Sequence, residues 1–106
     1  MGNIENVIEH ETDLEQGTKA TIKRPAMFRV MLLNDDYTPM DFVIEVLTQI
    51  FSMNSDKATE IMLTIHYKGK ASCGVYTSDV AETKVDQVLR FSEEHQHPLM
   101  CTMEQV

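Results

Sequence analysis

The sequence predicts an α+β domain of order β-α-α-β-α-β, a three-stranded antiparallel sheet packed against three helices. Three observations carry that reading. Between residues 25 and 106 the apolar residues alternate between a period of two and a period of three to four, which separates strands from helices. Turn-forming Asn, Asp, Gly and Pro residues punctuate the changes. A helical pair between the first two strands lets them run antiparallel. A right-handed crossover through the third helix then sets strand three parallel to strand two, with room for strand one between them.

Met27 to Leu33 is a near-continuous apolar run, as expected of a central strand covered on both faces. Asn34-Asp35-Asp36-Tyr37 follows as a turn, because Asn and Asp side chains bond back to their own backbone. Thr38 is placed to cap the first helix, with Pro39 at its first position and Asp41 near its positive end. Met40, Val43, Ile44, Leu47 and Phe51 then recur at helical spacing. Asn54 or Ser55 opens a second helix, with Ala58, Ile61, Met62 and Ile65 on its apolar face and Gly69 as a left-handed cap. Ala71, Cys73 and Val75 alternate with Ser72, Gly74 and Tyr76, as in a half-buried strand. Ser78 is placed to cap a third helix that carries Ala81, Val85, Val88, Leu89 and Ser92 on one face. Pro98 breaks it, and Leu99, Cys101 and Met103 alternate into the last strand.

The 106 residues suffice for one compact domain, and 42% of them are hydrophobic. A domain of this size folds without staples. Residues 1–24 hold Glu5, Glu9, Glu11, Asp13 and Glu15 against Lys19, Lys23 and Arg24, with apolar residues too sparse for a core face. They read as a mobile acidic tail, and Pro25 begins the folded domain. The net charge is −8, and the remainder of the chain is itself acidic. That argues against a phosphate-backbone binder and against an anionic membrane surface. No apolar run approaches the length of a membrane span and no signal pattern opens the chain, so a cytoplasmic location is expected. Cys73 and Cys101 lie in apolar stretches without metal-ligand spacing, and read as buried free thiols.

One constellation stands out. Asn34, Asp35 and Asp36 leave the end of strand one, and Met62 and His66 project together from helix two. Folding the helical pair back on the sheet brings amide oxygen, carboxylate and imidazole beside an apolar surface. Turn chemistry and a satisfied, half-buried histidine explain the same residues, and on spacing alone that plainer reading is favoured. A metal-dependent hydrolase using Asp35, Asp36 and His66 is a second alternative, but adjacent acids do not readily aim at one ion. His95 and His97 form a His-x-His pair at a helix end, where solvent is the expected surrounding. No serine has a nucleophile-elbow context, and no glycine-rich phosphate loop is present. No catalytic residue and no cofactor is predicted. The eight methionines suit either ordinary core filling or a pocket that adapts to several apolar side chains.

The run Leu33-Asn34-Asp35-Asp36-Tyr37-Thr38-Pro39-Met40-Asp41-Phe42-Val43 resembles the signature of the ClpS adaptor family. His66-Tyr67-Lys68-Gly69-Lys70-Ala71, Cys73-Gly74-Val75-Tyr76-Thr77, Val80-Ala81-Glu82-Thr83-Lys84-Val85 and His97-Pro98-Leu99 extend the likeness over residues 25–106. ClpS proteins are non-enzymatic: they grip N-degrons beginning with Phe, Tyr, Trp or Leu and pass them to the ClpAP unfoldase–protease. By position, the resemblance implies that Asn34, Asp35 and His66 hold the α-ammonium and first peptide group. It implies that Asp36, Thr38, Met40, Val43, Met62, Ile65 and Leu99 line or support the side-chain pocket. It further implies that Asp79, Glu82 and Lys84 dock the N-terminal domain of ClpA, with position 79 carried over less firmly because relatives can have Glu there. The tail engages the unfoldase during hand-over, no metal is needed, and a monomer is expected. The ribosomal stalk protein's C-terminal domain shares the same element order, but as an assembly module it needs no pocket beside Asn34 and His66.

Overall fold

The computed structural model describes residues 24–106. The tail assigned to residues 1–24 lies outside them except for its last residue. Six elements follow in the predicted order: β1 (Met27–Leu33), α1 (Met40–Gln49), α2 (Ser55–Lys68), β2 (Lys70–Thr77), α3 (Ser78–Glu94) and β3 (Met100–Gln105). The sheet order is β2-β1-β3, with β1 antiparallel to both neighbours.

All three helices lie on one face of the sheet. Val30 and Leu32 of β1, Ala71 and Cys73 of β2 and Cys101 of β3 point into a core shared with Phe42, Val46, Leu47, Met62, Ile65 and Val88. Burial pushes the Cys73 thiol up to about 12, helped by Cys101 nearby, and burial pushes Cys101 up to about 12. Both cysteines are free and stay protonated at neutral pH. The opposite face of β1 has no helical cover, contrary to the expectation from its unbroken apolar run. Met31 is nonetheless buried there. Lys70, opposite Leu33, and Glu104, opposite Arg29, reach over the sheet and meet at 3.3 Å, with Met31 midway between those registers.

Two caps differ from expectation. α1 begins at Met40 with Pro39 in the cap position and no side-chain cap, because the Thr38 hydroxyl turns back to Asp35. The Pro39 carbonyl instead accepts from the Phe42 and Val43 N–H groups. α3 begins at Ser78, not after it, with Thr77 as an uncapped N-cap. Asn54 does cap α2, accepting from the Lys57 N–H at 2.9 Å. Gly69 ends it at φ 93°, a left-handed position that favours glycine.

The helix faces are also shifted. α1 buries Phe42 and Val46 as well as Val43 and Leu47, leaving Met40 exposed. Leu89 of α3 is exposed too, since Ala81, Val88 and Ser92 take the core side.

The largest departure is in β2. Val30 pairs with Gly74 but Met31 pairs with Ser72, so Cys73 is an extra residue in the ladder. Such a bulge reverses which residues face the core beyond it. Tyr76 therefore packs inward against the core, while Val75, expected inside, is 48% exposed.

Candidate functional site

The site is built where β1 runs out. The Asn34 N–H donates to the Gly69 carbonyl at 2.8 Å, pinning the start of the loop to the junction of α2 and β2. That bond sets Asn34 beside the last turn of α2, from which His66 and Met62 project one turn apart.

Asp35 organises the loop itself. Its Oδ1 accepts from the N–H groups of Tyr37 at 2.8 Å and Thr38 at 2.7 Å, and its Oδ2 accepts from the Thr38 hydroxyl at 2.8 Å. Partial burial pushes this carboxyl up. The hydrogen bonds from Thr38 and Tyr37, with His97 nearby, outweigh that and hold it below its ordinary value of 3.8. A carboxylate offers about four acceptor directions, and the loop uses three of them, so one remains for a ligand.

Loop, α1 and α2 enclose a cavity of about 380 Å³ lined by Asn34, Asp35, Asp36, Tyr37, Thr38, Pro39, Met40, Val43, Met62, Ile65 and His66. This volume lies in the range of small-molecule sites. Its floor is apolar: Val43, Met62 and Ile65 are buried. Its rim is polar, and no hydrogen bond among the described residues occupies the Asn34 amide, the Asp36 carboxylate or the His66 ring nitrogens. The structure thus brings together every predicted recognition residue except Leu99, which is buried in the core and off the cavity wall. Tyr37 and Pro39 line the cavity without having been singled out.

His95 and His97 are not simply solvated. The His97 ring centroid is 4.5 Å from that of Phe42, and His95 packs 4.6 Å from Phe91. Phe42 and Phe91 stack at 5.2 Å, so the end of α3 is tied to the root of α1 by an aromatic cluster. Their spacing before Pro98 marks a helix end but carries no sign of this contact. Asp35, Asp36 and His66 share a wall without converging: among the described residues no three His, Cys, Asp or Glu side chains are grouped to hold a metal ion.

The residues assigned to docking lie elsewhere. Asp79 and Glu82 are exposed on the first turns of α3. Lys84 is half-buried, its ammonium donating to the Ile50 carbonyl at 2.7 Å and lying 5.9 Å from the ring centroids of both Phe51 and Tyr76. A larger hollow of about 450 Å³ between the end of α1 and α3 contains Lys84 but none of the recognition residues.

An apolar floor under a rim of acceptors is complementary to a group that is both cationic and attached to an apolar side chain. Comparison with known proteins points the same way. The family profile described as ATP-dependent Clp protease adaptor protein ClpS matches residues 23–102. The ATP-dependent Clp protease adapter protein ClpS of Vibrio atlanticus (strain LGP32) is 58% identical over 95 residues, covering 90% of each chain. That of Vibrio cholerae serotype O1 (strain M66-2) is 56% identical over 98 residues, covering 92% of each. Among solved structures, Agrobacterium tumefaciens ClpS2 bound to L-phenylalaninamide superposes with a TM-score of 0.76 at 43% identity, covering 78% of this chain and 100% of that one.

Proposed function

The chain belongs to the ClpS family, adaptors of the ATP-dependent Clp protease rather than enzymes, and from that premise we propose that its cavity grips protein N-termini beginning with Phe, Tyr, Trp or Leu. The observation that carries this reading is the cavity of about 380 Å³ in which Val43, Met62 and Ile65 form an apolar floor beside Asn34, Asp35 and His66. The side chain of the first residue sits on that floor. Its α-ammonium lies at the rim, where the Asn34 oxygen, the remaining acceptor of Asp35 and a neutral His66 nitrogen each accept a hydrogen bond. The phenylalaninamide held by the Agrobacterium relative combines the same two features, a free α-amino group and an aromatic side chain.

Both features are needed for selectivity. Burying a large apolar side chain contributes about 1.5–3 kcal/mol. Losing a hydrogen bond to a charged group costs about 1.5–3 kcal/mol, or roughly ten- to 150-fold in affinity. In this reading Asp36, Thr38 and Met40 shape the neck of the pocket and Leu99 supports it from the core. Asp79, Glu82 and Lys84 dock the N-terminal domain of ClpA, and Lys84 also ties α3 to the end of α1 through Ile50. Residues 1–24 act as a separate tail during hand-over, and the adaptor works as a cytoplasmic monomer.

Fluorescence anisotropy tests the reading. One labelled peptide is made in three forms, beginning with Phe, with N-acetyl-Phe and with Ser. The free Phe form should bind at least tenfold more tightly than either of the others. Equal binding of the Phe and N-acetyl-Phe forms would remove the ammonium from the mechanism, and with it the assignment of Asn34 and His66.

A further inference from the structure

The first residue of a helix has no preceding turn for its side chain to pack on. Helical side chains lean towards the N-terminus of their own helix. Met40, first in α1, therefore lines the cavity beside the loop that precedes it, and it is 46% exposed. The other methionine of the cavity, Met62, belongs to the floor and is 7% exposed. Met27 and Met100 are exposed as well, but they lie on the sheet and neither lines the cavity. Met31 is buried, and Met53 and Met103 pack against the core. Among the described residues, Met40 is thus the methionine that combines exposure with a place in the site.

A thioether has no proton to lose, so an accessible methionine sulfur reacts with peroxides without first ionising. The two thiols do not compete. Burial pushes Cys73 and Cys101 up to about 12, and neither forms the reactive thiolate at neutral pH. A hydroperoxide transfers its terminal oxygen to the Met40 sulfur as the O–O bond breaks. The sulfur gives up two electrons and becomes a sulfoxide, and water or an alcohol leaves. A flexible apolar side chain is thereby made polar. An apolar side chain seated in the cavity covers the Met40 wall and strips the new oxygen of water, a cost that the thioether does not have.

We propose that Met40 is a redox-sensitive modification site: a peroxide converts it to the sulfoxide ahead of Met62, and the sulfoxide weakens the grip on a protein N-terminus. The effect on binding rests on the first-residue reading given above. Reduction of the sulfoxide restores the thioether, so the change is reversible. A bound N-terminus covers the same side chain, so occupancy of the cavity slows the oxidation of Met40 but not that of Met27 or Met100.

The test treats the full chain with limiting hydrogen peroxide and maps the oxidation of each methionine by peptide mass spectrometry. Anisotropy with a labelled Phe-initiated peptide then gives the affinity before treatment, after it, and after methionine sulfoxide reductases have acted. Met40→Leu and the double variant Met27→Leu with Met100→Leu are carried through the same steps. Met40 should oxidise well before Met62, and the wild type should lose affinity about three- to thirtyfold. The reductases should restore it. The double variant should lose as much as the wild type, and Met40→Leu should lose little. Each loss is a ratio within one protein, so any direct effect of a substitution on binding cancels. Full oxidation of Met40 with unchanged affinity, Met62 oxidising as fast as Met40, or an equal loss in Met40→Leu would overturn the proposal while leaving first-residue recognition standing. Failure of the untreated wild type to bind the peptide would overturn both.

Discussion

Asp35 has two tasks that a single substitution can separate. Its carboxylate accepts three hydrogen bonds from Tyr37 and Thr38, and in the proposed function it also faces the ammonium. Asparagine keeps Oδ1 for the two N–H groups, and its Nδ2 can donate to the Thr38 hydroxyl, so the loop survives without the charge. Asp35→Asn should change urea-unfolding stability at neutral pH by less than about 1 kcal/mol, while Asp35→Ala should cost about 1–3 kcal/mol. Affinity for a Phe-initiated peptide should fall about tenfold or more in both. Unchanged peptide affinity in Asp35→Asn would make the residue a loop brace only. The acid limb follows from the same bonds. The folded carboxyl lies below 3.8, so its contribution is present above that pH and is lost as pH falls through the lower folded value. Asp35→Asn should therefore lose stability less steeply than the wild type below about pH 4. That Asn34, Met62 and His66 meet at the end of β1 was legible because turn chemistry and helical spacing are local, but their recognition roles come from the family resemblance and not from spacing. Leu99 lies in the core behind the cavity and not on its wall, a distinction that strand alternation does not make: it says only that the residue faces inward. The packing of His97 on Phe42 joins residues far apart in the chain, and no local pattern announces it.

Element order, sheet order and strand direction followed from periodicity and the handedness of crossovers, and β2 shows where periodicity stops working. An alternating pattern assumes an unbroken ladder, and the extra residue at Cys73 inverts everything after it. The sequence does contain a trace of the bulge in Gly74. A Cβ built there would lie 2.5 Å from the Tyr76 hydroxyl oxygen and under 3 Å from two ring carbons, so glycine is what lets the ring lie across the strand. The ring in turn flanks the Lys84 ammonium that ties α3 to the end of α1. Gly74→Ala should displace the ring and cost about 1–3 kcal/mol in urea unfolding. In a Tyr76→Ala background most of that cost should vanish, because the clash is with the ring. An undiminished cost there would place the penalty in the backbone of the bulge instead. Thr38 and Ser78 mark the other limit of sequence reading. Both sit one position from where a cap belongs, and only the bond from Thr38 to Asp35 shows why its hydroxyl is spent elsewhere.

The sheet separates the two proposed working surfaces. β1 runs from Met27, paired with Thr77 at the root of α3, to Leu33, which leads directly into Asn34 and the cavity. Its seven residues span about 20 Å at the usual rise of a strand. Asp79 and Glu82 thus stand at one end of the sheet and the N-terminus grip at the other, with a close-packed core between them. An adaptor must hold its cargo and its unfoldase together, so occupancy of one surface should not oppose occupancy of the other. We expect the affinity for a Phe-initiated peptide to change less than about threefold when the adaptor is saturated with isolated ClpA N-terminal domain. Linkage then requires the same small factor in the reverse direction. The paired substitution Asp79→Lys with Glu82→Lys should weaken binding of that domain at least tenfold, because two exposed charges are reversed on an acidic surface, and wild-type docking should weaken as salt rises. The same variant should bind the peptide as the wild type does. A large loss of peptide affinity in it would mean that α3 transmits its state through Phe91 and Phe42 to the root of α1, and that the aromatic cluster there is a coupling element rather than a fixed joint.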